Sequence, residues 1–164
     1  MRIVRYHNIF GPEGAWNDGR EKSPAAICRK VAMAPNGGEI EIWGDGEQSR
    51  SFLYIEECLD GTLRVMRSNY GHLNVGSDEM VSINQLARMA AEIAGKDIRL
   101  KHVPGPLGVR GRNSNNKLIS STLGWRPTQP LQAGLRKTYD WIDLQVRAIN
   151  QRQEKAEAAL SMAA

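Results

Sequence analysis

Glu39-Ile40-Glu41-Ile42-Trp43 alternates polar and apolar residues strictly, the pattern of a half-buried strand. Further along, Ile83, Leu86, Ala87, Ala90, Ile93 and Ala94 recur at three and four, which predicts a helix capped by Ser82 and closed by Gly95. The same spacing predicts a helix from Ile55 to Arg67 with a stripe of Ile55, Cys58, Leu59, Thr62, Leu63 and Met66. A long helix from Leu131 follows, with Leu135, Thr138, Ile142, Val146 and Ile149 on one face. Ser23-Pro24 reads as an N-cap with proline at the first helical position, opening a helix over Ala25–Ala34 that Pro35-Asn36-Gly37-Gly38 ends. Ile3–Tyr6, His72–Val75 and Ile98–Val103 read as short strands, Ser49–Tyr54 as extended chain, and 117–123 as a short helix before the Gly124-Trp125-Arg126-Pro127 break. Residues 11–21 and 104–116 read as loops.

Strands and helices alternate, so the fold class is α/β. Ile3–Tyr6 begins with neither turn nor cap, and such an isolated strand needs a sheet to join. Residues 1–150 form one lobe. Residues 151–164 are Ala, Gln, Glu and Lys with few apolar anchors, and are expected to fray as a helical tail.

Composition narrows the classes. The chain has 164 residues with 41% hydrophobic and 24% charged, which is globular. No apolar run approaches bilayer length and Met1–Arg5 lacks the core of a signal peptide, so no membrane partner is expected. The two cysteines, Cys28 and Cys58, stand without a C-x-x-C or nearby histidine, which excludes a disulfide scaffold or Cys-based zinc site and fits a reducing cytosol. His7, His72 and His102 lack metal-ligand spacing. The net charge of +4 comes from basic residues scattered along the chain, so no nucleic-acid partner is expected.

Four patches carry more polar chemistry than packing requires. In Arg5–Pro12, a strand end carries Asn8 into a loop, where ligands of open α/β sheets sit; a turn residue satisfying backbone groups is the plainer reading from spacing alone. In Gly19–Pro24, Lys22 lies beside the positive end of a helix and near Arg20, as an acid/base group or anion ligand would; a surface charge cluster is the plainer alternative. Arg50 lies between a glycine turn and the apolar Phe52-Leu53-Tyr54, suited to fork onto phosphate oxygens or, equally, to make a structural ion pair. In Pro104–Asn113, Arg110 and Arg112 share a side if the chain is extended, and the glycines allow a close backbone approach. There is no G-x-G-x-x-G, no Walker loop and no Tyr-x-x-x-Lys.

Taken in order, Arg5–Pro12, Gly19–Ala26, Trp43–Phe52, Val75–Ser82 and Pro104–Ser114 closely resemble the C-terminal part of the GDP-mannose 3,5-epimerases. These are extended short-chain dehydrogenases/reductases of the NAD-dependent epimerase/dehydratase group. Leu123–Pro127 is common to many nucleotide-sugar epimerases and dehydratases, whereas Gly19–Ala26 is far more particular. The resemblance implies a C-terminal substrate-binding lobe plus the last strands of a Rossmann sheet, with the N-terminal NAD-binding half missing. In that family NAD, held by the other half with a Tyr/Lys pair, oxidises and later reduces the sugar at C4, and a cysteine and a lysine move protons at C3 and C5. Lys22 matches the acid/base lysine. Asn8, Glu21, Lys22, Ser23, Lys30, Gln48, Arg50 and Arg112 match positions that touch the nucleotide sugar, the arginines at its diphosphate. Cys28 and Cys58 do not match the catalytic cysteine. Asn115 stands where the wider superfamily usually has Asp, and the tail after Arg147 departs from the family.

The resemblance thus implies the nucleotide-sugar-binding portion of a GDP-mannose 3,5-epimerase, cytoplasmic, with a GDP-sugar as its small-molecule partner and a homodimer in the full-length parent. The isolated chain is expected to be inactive. The alternatives are an inactive truncated remnant that binds nucleotide sugar, or the lobe of another NAD-dependent sugar 4-epimerase or 4,6-dehydratase.

Overall fold

A computed structural model describes residues 1–105 and 109–163; Pro106-Leu107-Gly108 of the fourth patch lie outside them. The chain opens with β1 (Ile3–Tyr6) and β2 (Ile9–Phe10), followed by α1 (Ser23–Met33). Next come β3 (Glu39–Trp43), β4 (Ser49–Ser51), β5 (Leu53–Tyr54) and α2 (Ile55–Arg67). β6 (His72–Val75), β7 (Met80–Ser82), α3 (Ile83–Ala94) and β8 (Arg99–Val103) follow. The chain finishes with β9 (Gly111–Arg112), α4 (Lys117–Leu123) and α5 (Leu131–Ala163).

Among the described residues the strands form four small sheets. β1 pairs with β6, β2 with β5 and β3 with β8, all parallel, while β4 runs antiparallel to β7 and parallel to β9. Parallel pairs need crossovers, and the helices supply them, as the alternation predicts. β9 is a strand where loop was expected, and β2 and β7 are strands that the sequence pattern did not predict; each is only two or three residues long and acquires its conformation from its partner strand.

Two apolar clusters hold these elements. The larger gathers buried residues of α1, β3, α3 and α5, among them Val31, Ile42, Leu86, Leu135 and Ile142, together with Phe10, Phe52 and Tyr54. The smaller joins Leu53, Cys58, Val65, Leu73, Val75, Ile119 and Trp125. Both cysteines are buried and free. Burial, with Asp140 nearby, pushes the Cys28 thiol up to about 12, and burial also pushes Cys58 up.

Two sequence expectations need correction. The helix at 23–33 is capped by Lys22, not Ser23: Lys22 is extended (φ −76°, ψ 159°) and its carbonyl accepts the first helical bond from Ala26 at 3.0 Å. Pro24 sits one place further in, which costs nothing because the first four helical N–H groups have no intrahelical acceptor. On α2 the buried face is Cys58, Gly61 and Val65, while Leu59, Leu63 and Met66 are 47–60% exposed. The reason is Gly61: an added Cβ would lie 3.0 Å from both Trp125 and Val75, so the helix seats on its smallest residue and the leucines turn outward.

α3 begins with a full capping box between Ser82 and Gln85, and Gly95 closes it in the left-handed conformation. Lys96, next in sequence, donates to the carbonyls of Val31, Ala32 and Ala34 at 2.7–2.9 Å and so satisfies the C-terminus of α1. α5 continues unbroken to Ala163, with every side chain from 150 to 161 exposed.

Candidate functional site

The N-terminus of α1 and the last residues of β3 border a cleft of about 240 Å³. Ser23, Lys30, Gln48 and Arg50, four of the residues singled out in sequence, line it together with Glu41 and Trp43. Ile27, Ile42 and Ile83 supply its apolar side. Within it the Lys30 ammonium donates to the Glu41 carbonyl at 2.6 Å, and burial pulls the Lys30 amine below its ordinary range.

The turn between β3 and β4, which delivers Gln48 and Arg50, is held from two sides. The Asn84 amide donates to the Asp45 carbonyl at 2.9 Å and to Glu47 Oε1 at 2.6 Å, and its Oδ1 lies 2.9 Å from His102 Nε2, which therefore carries the proton. Arg110 pairs with Asp45 at 2.6 Å. That leaves Arg112 alone of the two loop arginines beside Arg50: the β4–β9 register sets them opposite each other. Arg50 also donates to the carbonyls of Ser49 and Val109, at 2.7 and 2.5 Å.

Asn8 adopts a left-handed conformation (φ 49°), tolerated by asparagine more than by most residues, and its amide donates to the Ser51 carbonyl at 3.0 Å. His7, which has no metal-ligand spacing in the sequence, lies 3.5 Å from Ser51 Oγ through Nδ1. Burial first, then the positive charges of Arg112 and Arg50, pull its imidazole below the usual 6.5. His7 and Asn8 thus both meet Ser51, next to Arg50.

The Glu21–Lys22 corner immediately precedes α1. Arg29 grips Glu21 Oε1 at 2.7 Å and the Trp16 carbonyl at 2.9 Å, leaving Glu21 Oε2 buried without a partner. Lys22 is exposed, and its side chain makes no hydrogen bond among the described residues. Arg20 is paired with Asp18 at 2.5 Å. Among the described residues no group of His, Cys, Asp and Glu is placed to hold a metal. No described helix is long and apolar enough to cross a membrane.

Glu41 and Trp43 were not singled out as site residues. Trp43 carried a readable signal: an indole ending the polar face of a strictly alternating strand.

The family model of the NAD dependent epimerase/dehydratase family matches residues 1–76. The GDP-mannose 3,5-epimerase of Arabidopsis thaliana is 49% identical over 159 residues, 96% of this chain. This chain is similar to members of that family. It spans about two fifths of the length of the curated relatives it matches, 40% of the Arabidopsis protein. The dTDP-4-dehydro-6-deoxy-D-allose reductase of Streptomyces bikiniensis is a more distant family relative, 36% identical over 85% of this chain and 42% of its own length. Among solved structures, the UDP-glucose 4-epimerase of Thermotoga maritima with UDP-glucose superimposes with a TM-score of 0.79 at 26% identity, over 88% of this chain and 46% of that one. The UDP-glucuronic acid 4-epimerase of Bacillus cereus, in complex with UDP-glucuronic acid and NAD, gives 0.76 at 25% identity, over 88% and 45%. The α/β class and the likeness to extended short-chain dehydrogenase/reductase epimerases are as the sequence predicts.

Proposed function

We propose that the chain is the nucleotide-sugar-binding portion of a GDP-mannose 3,5-epimerase, with residues 1–150 as the binding lobe and 151–164 as a fraying tail. The observation that carries this reading is the gathering of Ser23, Lys30, Gln48 and Arg50 on one cleft, with Arg112 opposite Arg50. In this reading the cleft takes the nucleotide, Arg50 and Arg112 fork onto the diphosphate, and Asn8 and Glu21 meet the sugar. Two planar guanidiniums offer paired donors to phosphate oxygens, where lysines would offer point charges.

Lys22 then moves a proton at a sugar carbon made acidic by an adjacent ketone. Its ammonium, exposed at the helix start and free of internal partners among the described residues, is available to a substrate. NAD does not fit these residues. The chain has neither the glycine turn that cradles a pyrophosphate at a helix N-terminus nor a Tyr-x-x-x-Lys pair. In a whole enzyme NAD would belong to the part of the molecule that this chain does not span. The same reading places the enzyme in the cytoplasm as a homodimer, with no nucleic-acid partner.

A second reading, the lobe of a sugar-nucleotide 4-epimerase, draws on the superposition with the Thermotoga enzyme. Calorimetric titration of the 164-residue chain with GDP-mannose, UDP-glucose and NAD separates the two. Heat with GDP-mannose, less with UDP-glucose and none with NAD is the expected result. Tighter binding of UDP-glucose favours the 4-epimerase, and absence of binding to either sugar nucleotide sinks both readings.

A further inference from the structure

We propose that His7 couples the binding of a diphosphate to the uptake of a proton on its own imidazole; the proposal rests on the reading of Arg50 and Arg112 as the diphosphate clamp. His7 follows β1, and its backbone N–H donates to the Val75 carbonyl at 3.2 Å, which carries the pairing with β6 one residue beyond the strand. There the side chain lies against Gly76. A Cβ on that glycine would come within 2.8 Å of His7 Cβ and 2.5 Å of Ser114 Cβ, so nothing larger leaves the imidazole its place.

The ring is seated without having its proton claimed. Nδ1 meets Ser51 Oγ at 3.5 Å, the outer limit of a hydrogen bond, and Ser51 is itself fully buried. Asn8 holds Ser51 in turn by donating to its carbonyl at 3.0 Å. Around the imidazole stand Ser51 and Arg50 from β4, Arg112 from β9, Gly76 from the end of β6 and Ser114 from the stretch after β9. Of these groups only the two guanidiniums are charged. Burial first, and then both of those charges, disfavour the imidazolium.

A diphosphate seated on the two arginines reverses that balance. Its negative charge offsets the guanidiniums and favours a proton on the ring beside them. Coupling of this kind is reciprocal: if the anion helps the proton to bind, the proton helps the anion to bind by the same factor. Affinity for a diphosphate therefore rises as pH falls through the window between the ring's value in the free chain, below 6.5, and its higher value in the complex. The protonated ring supplies a third positive charge next to the pair, and it does so only when an anion is there to share it.

The test titrates the full chain and its His7→Asn variant with GDP-mannose by calorimetry, at pH about 5.5 and about 7.5, either side of the ordinary imidazole value. Asparagine keeps a polar atom toward Ser51 but does not titrate. The diphosphate of GDP-mannose is a diester with no proton to exchange near neutrality, so net uptake belongs to the protein. Buffers of two ionisation enthalpies give the number of protons bound, and circular dichroism checks folding at each pH. We expect wild type to take up a proton at the lower pH and to bind about 5-fold or more tightly there, the low end of ordinary couplings between sites. His7→Asn should show neither effect. An NMR titration of wild type should show the His7 midpoint rising when GDP-mannose saturates the chain, a readout that stands even if the variant does not fold. An unmoved midpoint, or uptake that persists in folded His7→Asn, would overturn the proposal. Binding without proton uptake would sink the coupling and leave the clamp in place. No binding at either pH would bring down the reading of the clamp, and the coupling with it.

Discussion

Arg50 on β4 and Arg112 on β9 stand opposite each other in the register of their parallel strands. Like charges set directly opposite each other across two strands repel and destabilise the pairing. An anion shared between them turns the same geometry into attraction. The backbone carbonyls of Ser49 and Val109 fix the Arg50 guanidinium before any ligand arrives.

Arg50→Lys should therefore weaken a diphosphate ligand by about 1.5–3 kcal/mol, the range for hydrogen bonds to charged groups. Guanosine without phosphates should be unaffected. Calorimetry with GDP and guanosine decides the point, and equal losses for both would make Arg50 structural.

His7 links this pair to pH. Its folded imidazole titrates below the usual 6.5, through burial first and then through Arg112 and Arg50. The unfolded chain thus takes up its proton before the folded one does, so stability rises with pH across the window between the two values and is lost on acidification below about 6.5. An NMR titration of the His7 ring should show its midpoint below 6.5 and move it upward in Arg112→Gln. An unmoved midpoint would mean that the arginine charge does not reach the ring.

Lys22 is the residue whose role reaches furthest beyond the fold. In an intact enzyme in which this chain replaces the aligned segment of the Arabidopsis protein, Lys22→Met should lower kcat by about 10²- to 10⁴-fold, the range for a general acid/base group. KM should change far less. Oxidation at C4 should persist, while exchange of the C3 and C5 hydrogens with deuterated water slows. Undiminished exchange at both carbons would leave Lys22 as a substrate ligand only.

Much of this arrangement could be read from residues alone, for identifiable reasons. β3 and α3 are long and strictly periodic, and α3 carries its own cap and stop signals, so pattern and structure agree there. β2, β7 and β9 have no period to detect, because two or three residues become strands only when a partner is present. On α2 the most apolar stripe was not the buried one, since packing selected Gly61 for closeness over leucine for hydrophobicity. At the site, the residue types were visible in sequence, but what they face was not. That Arg110 is taken by Asp45 while Arg112 stands by Arg50 depends on contacts 65 and 62 positions apart in the chain.

The two buried thiols have a practical consequence. A thiol must ionise to react, and burial holds Cys28 and Cys58 in the protonated form and out of reach. The folded chain therefore starts with a silent background for thiol chemistry. A cysteine introduced on an exposed surface would carry a fluorophore or spin label alone, with neither native cysteine needing removal.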